Sequence, residues 1–220
     1  MGAGVISNTS PYREAKSWNV QPVPAISYIG DRIQVFGLTV NCGLLEWSDF
    51  ALAATASYRF GVYREEDSSY LQGMGNRKDT VLGGLALQYE LPEGFNLSAG
   101  YEHDILGRTG GGIGRLGLKK AFQLNLLTIS PKISMNWLTD ELADYEYGVS
   151  AVQIRADRPA YHPGDAVNLE LGVTLFRELY KNWQIILGSS IVFLPSNLKD
   201  SPIVDQSQVI NLFTAVTRRF

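Results

Sequence analysis

Ala166-Val167-Asn168-Leu169-Glu170-Leu171-Gly172-Val173-Thr174-Leu175 decides the fold. Successive side chains of an extended chain point to opposite sides. Val167, Leu169, Leu171, Val173 and Leu175 therefore share one face, and Asn168, Glu170, Gly172 and Thr174 the other. A helix would scatter both sets around its circumference. The same period of two recurs at 20–29, 32–46, 50–61, 80–91, 94–104, 112–123, 126–138, 182–194 and 207–220. With 166–180, these runs predict ten antiparallel strands of an all-β protein.

A soluble barrel also alternates, with its apolar face inward. Three features point to the inverted arrangement. Most of the runs exceed the ~5–6 residues typical of soluble strands and match the ~9–11 needed to cross a bilayer obliquely. Apolar faces end in aromatics, at Tyr58, Phe60, Tyr89, Tyr101, Trp137 and Trp183, as interfacial girdles require. The opposite faces are rich in Gly and Ser, with scattered charges. A closed barrel satisfies every backbone hydrogen bond, so it spans lipid without a long apolar run. The expected fold is a transmembrane antiparallel β-barrel of the Gram-negative outer membrane.

Composition agrees. The 220 residues include only 19% charged side chains but 22 Gly and 11 Tyr. Mean hydropathy is −0.04, the average of two opposed faces. A net charge of −3 with no basic stripe excludes a nucleic-acid partner. Cys42 stands alone, without metal-ligand spacing. Met1-Gly2-Ala3-Gly4-Val5 has no basic or apolar leader, so a secretory signal is expected to have been removed.

Loop lengths set the topology. Short turns are expected at Ser48-Asp49, Pro92-Glu93, 123–125 and Lys181. Long connections are expected at 62–78, 105–111, 139–165 and 195–206. Short periplasmic turns must alternate with long outer loops. Ten strands over 20–220, a single domain, satisfy this if Gly30-Asp31 is an outer turn and both termini are periplasmic. Residues 1–19 then form a periplasmic or lumen-lying segment. Twelve strands result if 2–7 and 145–154 both cross. Phe220 ends the last strand on the face of Ile210, Leu212 and Val216, as in many outer-membrane barrels; Arg218 departs from that pattern.

Two groups of residues are candidates for function. Arg59, Glu90, Glu102, Asp104, Arg115, Lys119, Lys132 and Glu170 share the inferred lumen face and predict a paired polar network. Tyr145, Tyr147, Arg155, Arg158 and Tyr161 mix the residue types enriched at interfaces and mark 139–165 as an outer interaction loop. His103 and Asp104 point to opposite faces and cannot form a catalytic dyad within the strand. His162 has no second His or Cys nearby. There is no Gly-x-Ser-x-Gly elbow. The Asp140/Asp144 cluster reads as solvated. No catalytic, cofactor or metal residue is assigned.

Several segments together resemble the MipA/OmpV family, the MltA-interacting proteins. They are Ser10-Pro11-Tyr12-Arg13, Pro24-Ala25-Ile26-Ser27-Tyr28 with Gly30-Asp31-Arg32, and Leu71-Gln72-Gly73-Met74-Gly75-Asn76-Arg77-Lys78-Asp79-Thr80. Asp104-Ile105-Leu106-Gly107-Arg108, Tyr145-Glu146-Tyr147-Gly148-Val149, Arg158-Pro159-Ala160-Tyr161 and Asp200-Ser201-Pro202-Ile203-Val204 follow in order. The resemblance implies a non-enzymatic outer-membrane barrel in contact with lipid. It also implies a scaffold role linking a murein transglycosylase to a murein synthase. A surface receptor or adhesin, a cationic-peptide sensor and a narrow small-solute channel are the alternatives. The oligomeric state is left open.

Overall fold

The computed structural model describes residues 2–15, 18–179 and 182–218. The strands are β1 (Gly2–Thr9), β2 (Trp18–Ala25), β3 (Ser27–Ile29), β4 (Ile33–Phe36), β5 (Thr39–Trp47), β6 (Phe50–Arg59) and β7 (Thr80–Leu91). They continue as β8 (Phe95–Asp104), β9 (Gly112–Lys120), β10 (Phe122–Leu124), β11 (Leu127–Leu138), β12 (Ala166–Glu178), β13 (Trp183–Phe193) and β14 (Gln208–Arg218). Every pairing among them is antiparallel. The sheet order runs from β2 through β1 and β14 round to β4 and β3. Its two ends, β2 and β3, are consecutive in the chain, so the sheet closes on itself.

β2 and β3 are one strand interrupted at Ile26, and β9 and β10 one strand interrupted at Ala121. The described chain therefore crosses twelve times, not ten. Two corrections follow. Residues 2–9 are not a periplasmic or lumen segment: Gly2–Asn8 lie in register between β14 and β2. The run 32–46 is not one strand but a hairpin, β4–β5, turning at Gly37-Leu38 with Phe36 opposite Thr39. Gly37 has φ 58°, the left-handed conformation such a tight turn favours. Gly30-Asp31 consequently lies at the end of the barrel that carries Ser48-Asp49, not at the outer end. Residues 145–154 do not cross, and 139–165 is one excursion, as expected. The termini of the described chain, Gly2 and Arg218, lie at the short-turn end. The expected turn at Lys181 and the terminal Phe220 lie outside the described residues.

The register places the apolar faces outward. Leu85, Leu116, Ile133, Met135, Leu169, Leu171 and Leu187 are exposed large hydrophobics on the barrel wall. Aromatics ring both ends of this band. Tyr58, Tyr101, Trp137 and Trp18 stand toward the long loops, and Trp47, Phe50, Tyr89 and Trp183 toward the short turns. No helix is long and apolar enough to cross a membrane.

The buried core is not in the barrel wall. It is a cap over the mouth at the long-loop end. Tyr12, Tyr63, Leu71, Met74, Leu142, Tyr147, Leu198 and Ile203 pack there. They come from 10–15, 60–79, 139–165 and 194–207, and they rest on Leu82, Ile113, Leu138 and Ala166 at the strand ends. Within 139–165, helix α1 (Asp140–Tyr147) buries Leu142, Ala143, Glu146 and Tyr147. A short helix, α2 (Ser196–Lys199), buries Leu198.

Candidate functional site

The candidate site is the lumen together with the cap that closes it. Polar contacts bolt the cap to the wall. Arg59, the last residue of β6, donates from Nε (2.8 Å) and Nη2 (2.5 Å) to Glu146 Oε1 on α1. Glu146 is buried, so this pair carries more weight than an exposed one. Tyr12 stands at the centre. Its ring meets Tyr63 edge-on at 4.7 Å and stacks on Tyr147 at 5.9 Å. Its hydroxyl donates to the Glu146 carbonyl at 3.2 Å. Ser201 Oγ donates to the Tyr147 carbonyl at 2.6 Å. Burial pushes the Tyr12 and Tyr147 hydroxyls well up and that of Tyr63 to about 12, so all three stay neutral.

Two arginines lock the loops to each other. Arg158 is 1% exposed. Its guanidinium donates to the carbonyls of Tyr70, Gln72 and Gln153, a cage of chain oxygens with no carboxylate. Burial holds its pKa below the usual arginine range, with Arg155 adding to the effect. Arg77 lies 4.9 Å from each of the Tyr63 and Tyr145 rings, a double cation–π contact. Tyr145 Oη also accepts from the Lys78 amide at 2.7 Å.

The five outer-loop candidates are therefore largely internal. Tyr147 and Arg158 are buried, and Tyr145 braces 60–79. Tyr161 donates to the Asn197 carbonyl at 2.7 Å. Arg155 is exposed and reaches the Ser69 carbonyl at 3.3 Å.

The lumen candidates divide. Glu102 and Arg115 form an ion pair, and Thr55 Oγ1 donates to Glu102 at 3.2 Å. Lys132 pairs with Glu170 at 3.2 Å. Ser134 and Asn136 donate to the same carboxylate at 3.2 Å each. Arg59 leaves the lumen for the cap. Asp104 serves its own turn, accepting from Thr80, Thr109 and the amides of Leu106 and Gly110. Glu90 and Lys119 are exposed toward the short-turn end, and Lys119 sits directly opposite Lys132. A cavity of about 400 Å³ remains, lined by Thr39, Thr55, Ser57, Ser98, Glu102 and Arg115 among others.

His103 faces outward beside Tyr101, and Asp104 faces inward, as the alternation requires. His162 bridges Asp140 (3.1 Å) and Asp144 (2.9 Å) on the cap surface. The hydrogen bond to Asp144 and the charge of Asp140 raise its pKa. Among the described residues no group of three His, Cys, Asp or Glu side chains converges on a metal position.

The residues that hold the cap were legible only in part. Arg158 and Tyr147 stand out by type. Tyr12, Glu146 and Ile203 lie within the segments that carry the family resemblance, but nothing in their spacing marks them or Leu142 as buried, because irregular loops have no period against which a buried position shows.

The sequence profile of the family described as MltA-interacting protein MipA matches residues 1–220. The "MltA-interacting protein" of Escherichia coli (strain K12) is 27% identical over 225 residues, covering all of this chain and 89% of that one. The "Putative outer membrane protein YiaT" of the same strain is 26% identical over 223 residues, covering all of this chain and 90% of the other. The "Outer membrane protein OmpV" of Vibrio cholerae serotype O1 is 28% identical over 145 residues, 66% of this chain and 56% of its own length.

Proposed function

The chain belongs to the MltA-interacting protein (MipA) family of the outer membrane, and from that premise we propose that it is a non-enzymatic anchor for a murein transglycosylase. The partner docks on the short-turn, periplasmic end, and a murein synthase joins the same assembly. The observation that carries this is the asymmetry of the two ends. Most large side chains of the outer loops turn into the cap, Ile105, Leu106, Val152 and Ile154 excepted. At the other end Leu124, which closes β10, and the turn residues Leu126 and Leu179 are exposed. Exposed apolar side chains on a rim of this kind mark a protein contact.

The barrel in lipid nanodiscs is expected to retain a purified lytic transglycosylase. Leu124→Asp with Leu126→Asp should weaken retention roughly tenfold. Failure of the unaltered barrel to retain the enzyme would falsify the proposal. A surface receptor is the second reading, carried by the outer tip around 151–157, where Val152 is 93% exposed beside Ile154 and Arg155. Replacing that tip should abolish adhesion to a host surface while leaving transglycosylase retention intact.

A further inference from the structure

The barrel wall has one weak seam. β3 and β4 are joined by three residue pairs, Ser27 with Phe36, Tyr28 with Val35 and Ile29 with Gln34. β11 and β12 share twelve. Two backbone bonds bound the seam, Gly37 to the Ile26 carbonyl at 2.8 Å and Gly30 to the Ile33 carbonyl at 2.9 Å. Beyond it, among the described residues, the edges carry no further strand. β2 is paired over Trp18–Ala25 with β1 alone. Below Gly43, β5 has β6 on one side and no strand on the other.

An open edge at bilayer depth is costly, because lipid offers nothing to unpaired amides. Pro22 and Pro24 lower that cost on β2. They share one parity, as fits a strand bonded on a single side, and neither has an N–H to leave unpaired. The same prolines make the edge a poor template for an added strand. An added peptide strand is therefore disfavoured at this edge.

Behind the seam the lumen changes character. Ile29 and Phe36 face inward by register, beside Gln34 and Thr39, and are 71% and 47% exposed. They form an apolar threshold on the wall that leads to the cavity of about 400 Å³. Beyond it stand Thr39, Thr55, Ser57 and Ser98, with the Glu102–Arg115 pair. The volume lies near the lower end of the ~300–1,000 Å³ of small-molecule sites. An apolar threshold before a hydroxyl- and ion-pair-lined end suits one molecule with a hydrocarbon chain and a compact zwitterionic head. The cap bars approach from outside.

We propose that the lumen takes up a single-chain amphiphile of the lysophospholipid class, admitted sideways from the bilayer between β3 and β4. This is independent of the transglycosylase reading.

The test joins β3 to β4 covalently. Tyr28 and Val35 are directly paired on the outer face. In a Cys42→Ser background, Tyr28→Cys and Val35→Cys are joined by oxidation or by a short bifunctional thiol reagent. Barrels in phosphatidylethanolamine–phosphatidylglycerol nanodiscs are incubated with lysophosphatidylethanolamine, released, and weighed by native mass spectrometry. The Cys42→Ser protein and the reduced pair are expected to carry one lysolipid per barrel, and the joined form roughly tenfold less. Phe36→Asp should lower occupancy by a similar factor without joining anything. Heat-modifiable migration confirms that each variant is folded. No lysolipid on the Cys42→Ser protein, or full occupancy of the joined form, overturns the proposal.

Discussion

Arg158 shows how one side chain can hold two loops together. Its donors satisfy the carbonyls of Tyr70, Gln72 and Gln153, that of Tyr70 in a buried contact. Arg158→Ala orphans those oxygens and leaves a void, a loss of ~3 kcal/mol in cap stability. Cleavage within 60–79 by protease added to intact cells should then rise roughly 100-fold, following the open population. Heat-modifiability of the barrel should not change. Arg158→Lys should recover only part, because an ammonium lacks the planar fork. His162 makes the opposite kind of contact, exposed and titratable. Its pKa is raised in the folded protein, so its tie to Asp140 and Asp144 is complete below the unfolded value of 6.5. The tie is lost as pH climbs through the raised value. Hydrogen exchange at the α1 amides is expected to quicken over that window, and His162→Gln should flatten the profile.

Strands and loops differed in how plainly they could be read. A strand with one face in lipid repeats its pattern every second residue, so Ala166–Glu178 and Leu127–Leu138 are evident from side-chain type alone. The β4–β5 hairpin hides because Phe36 puts an apolar residue on the lumen side just before the two-residue turn. That residue masks the reversal of phase at Gly37-Leu38. β1 shows only as the alternative crossing at 2–7, for a related reason. Gly2 and Gly4 face inward as bare backbone, and an added Cβ at Gly4 would lie 3.0 Å from the Thr214 carbonyl oxygen. Helix α1 depends on a similar close approach. A Cβ on Gly111 would come within 2.8 Å of Leu142 Cα. Gly111→Ala should therefore lift α1 from its seat and expose Leu142, which is fully buried. The expected result is protease cleavage in 139–165 with the barrel still folded, and a loss comparable to the ~2–5 kcal/mol of Leu142→Ala.

At the scale of the whole molecule, the barrel is a cup closed at its outer end. Reconstituted into liposomes, the intact protein should admit a small sugar no faster than empty vesicles. Replacing 140–163 with a short Gly-Ser link removes α1 and the Arg158 cage, and swelling should quicken roughly tenfold as the lumen opens. Swelling by the intact protein would refute the closed cup. The topology also bears on how the chain matures. β1 pairs with β14, so residues 2–8 find their partners at 211–217, almost the full length of the chain away. Just above that join, Arg13 bonds the Ile203 carbonyl and Asp205 the Pro11 carbonyl. The last contact that shuts the wall is thus continuous with contacts that shut the lid. A loop spanning nearly the whole polypeptide must close before either forms. Folding should accordingly end in a single slow phase, and an intermediate with a sealed wall and a loose lid should not accumulate.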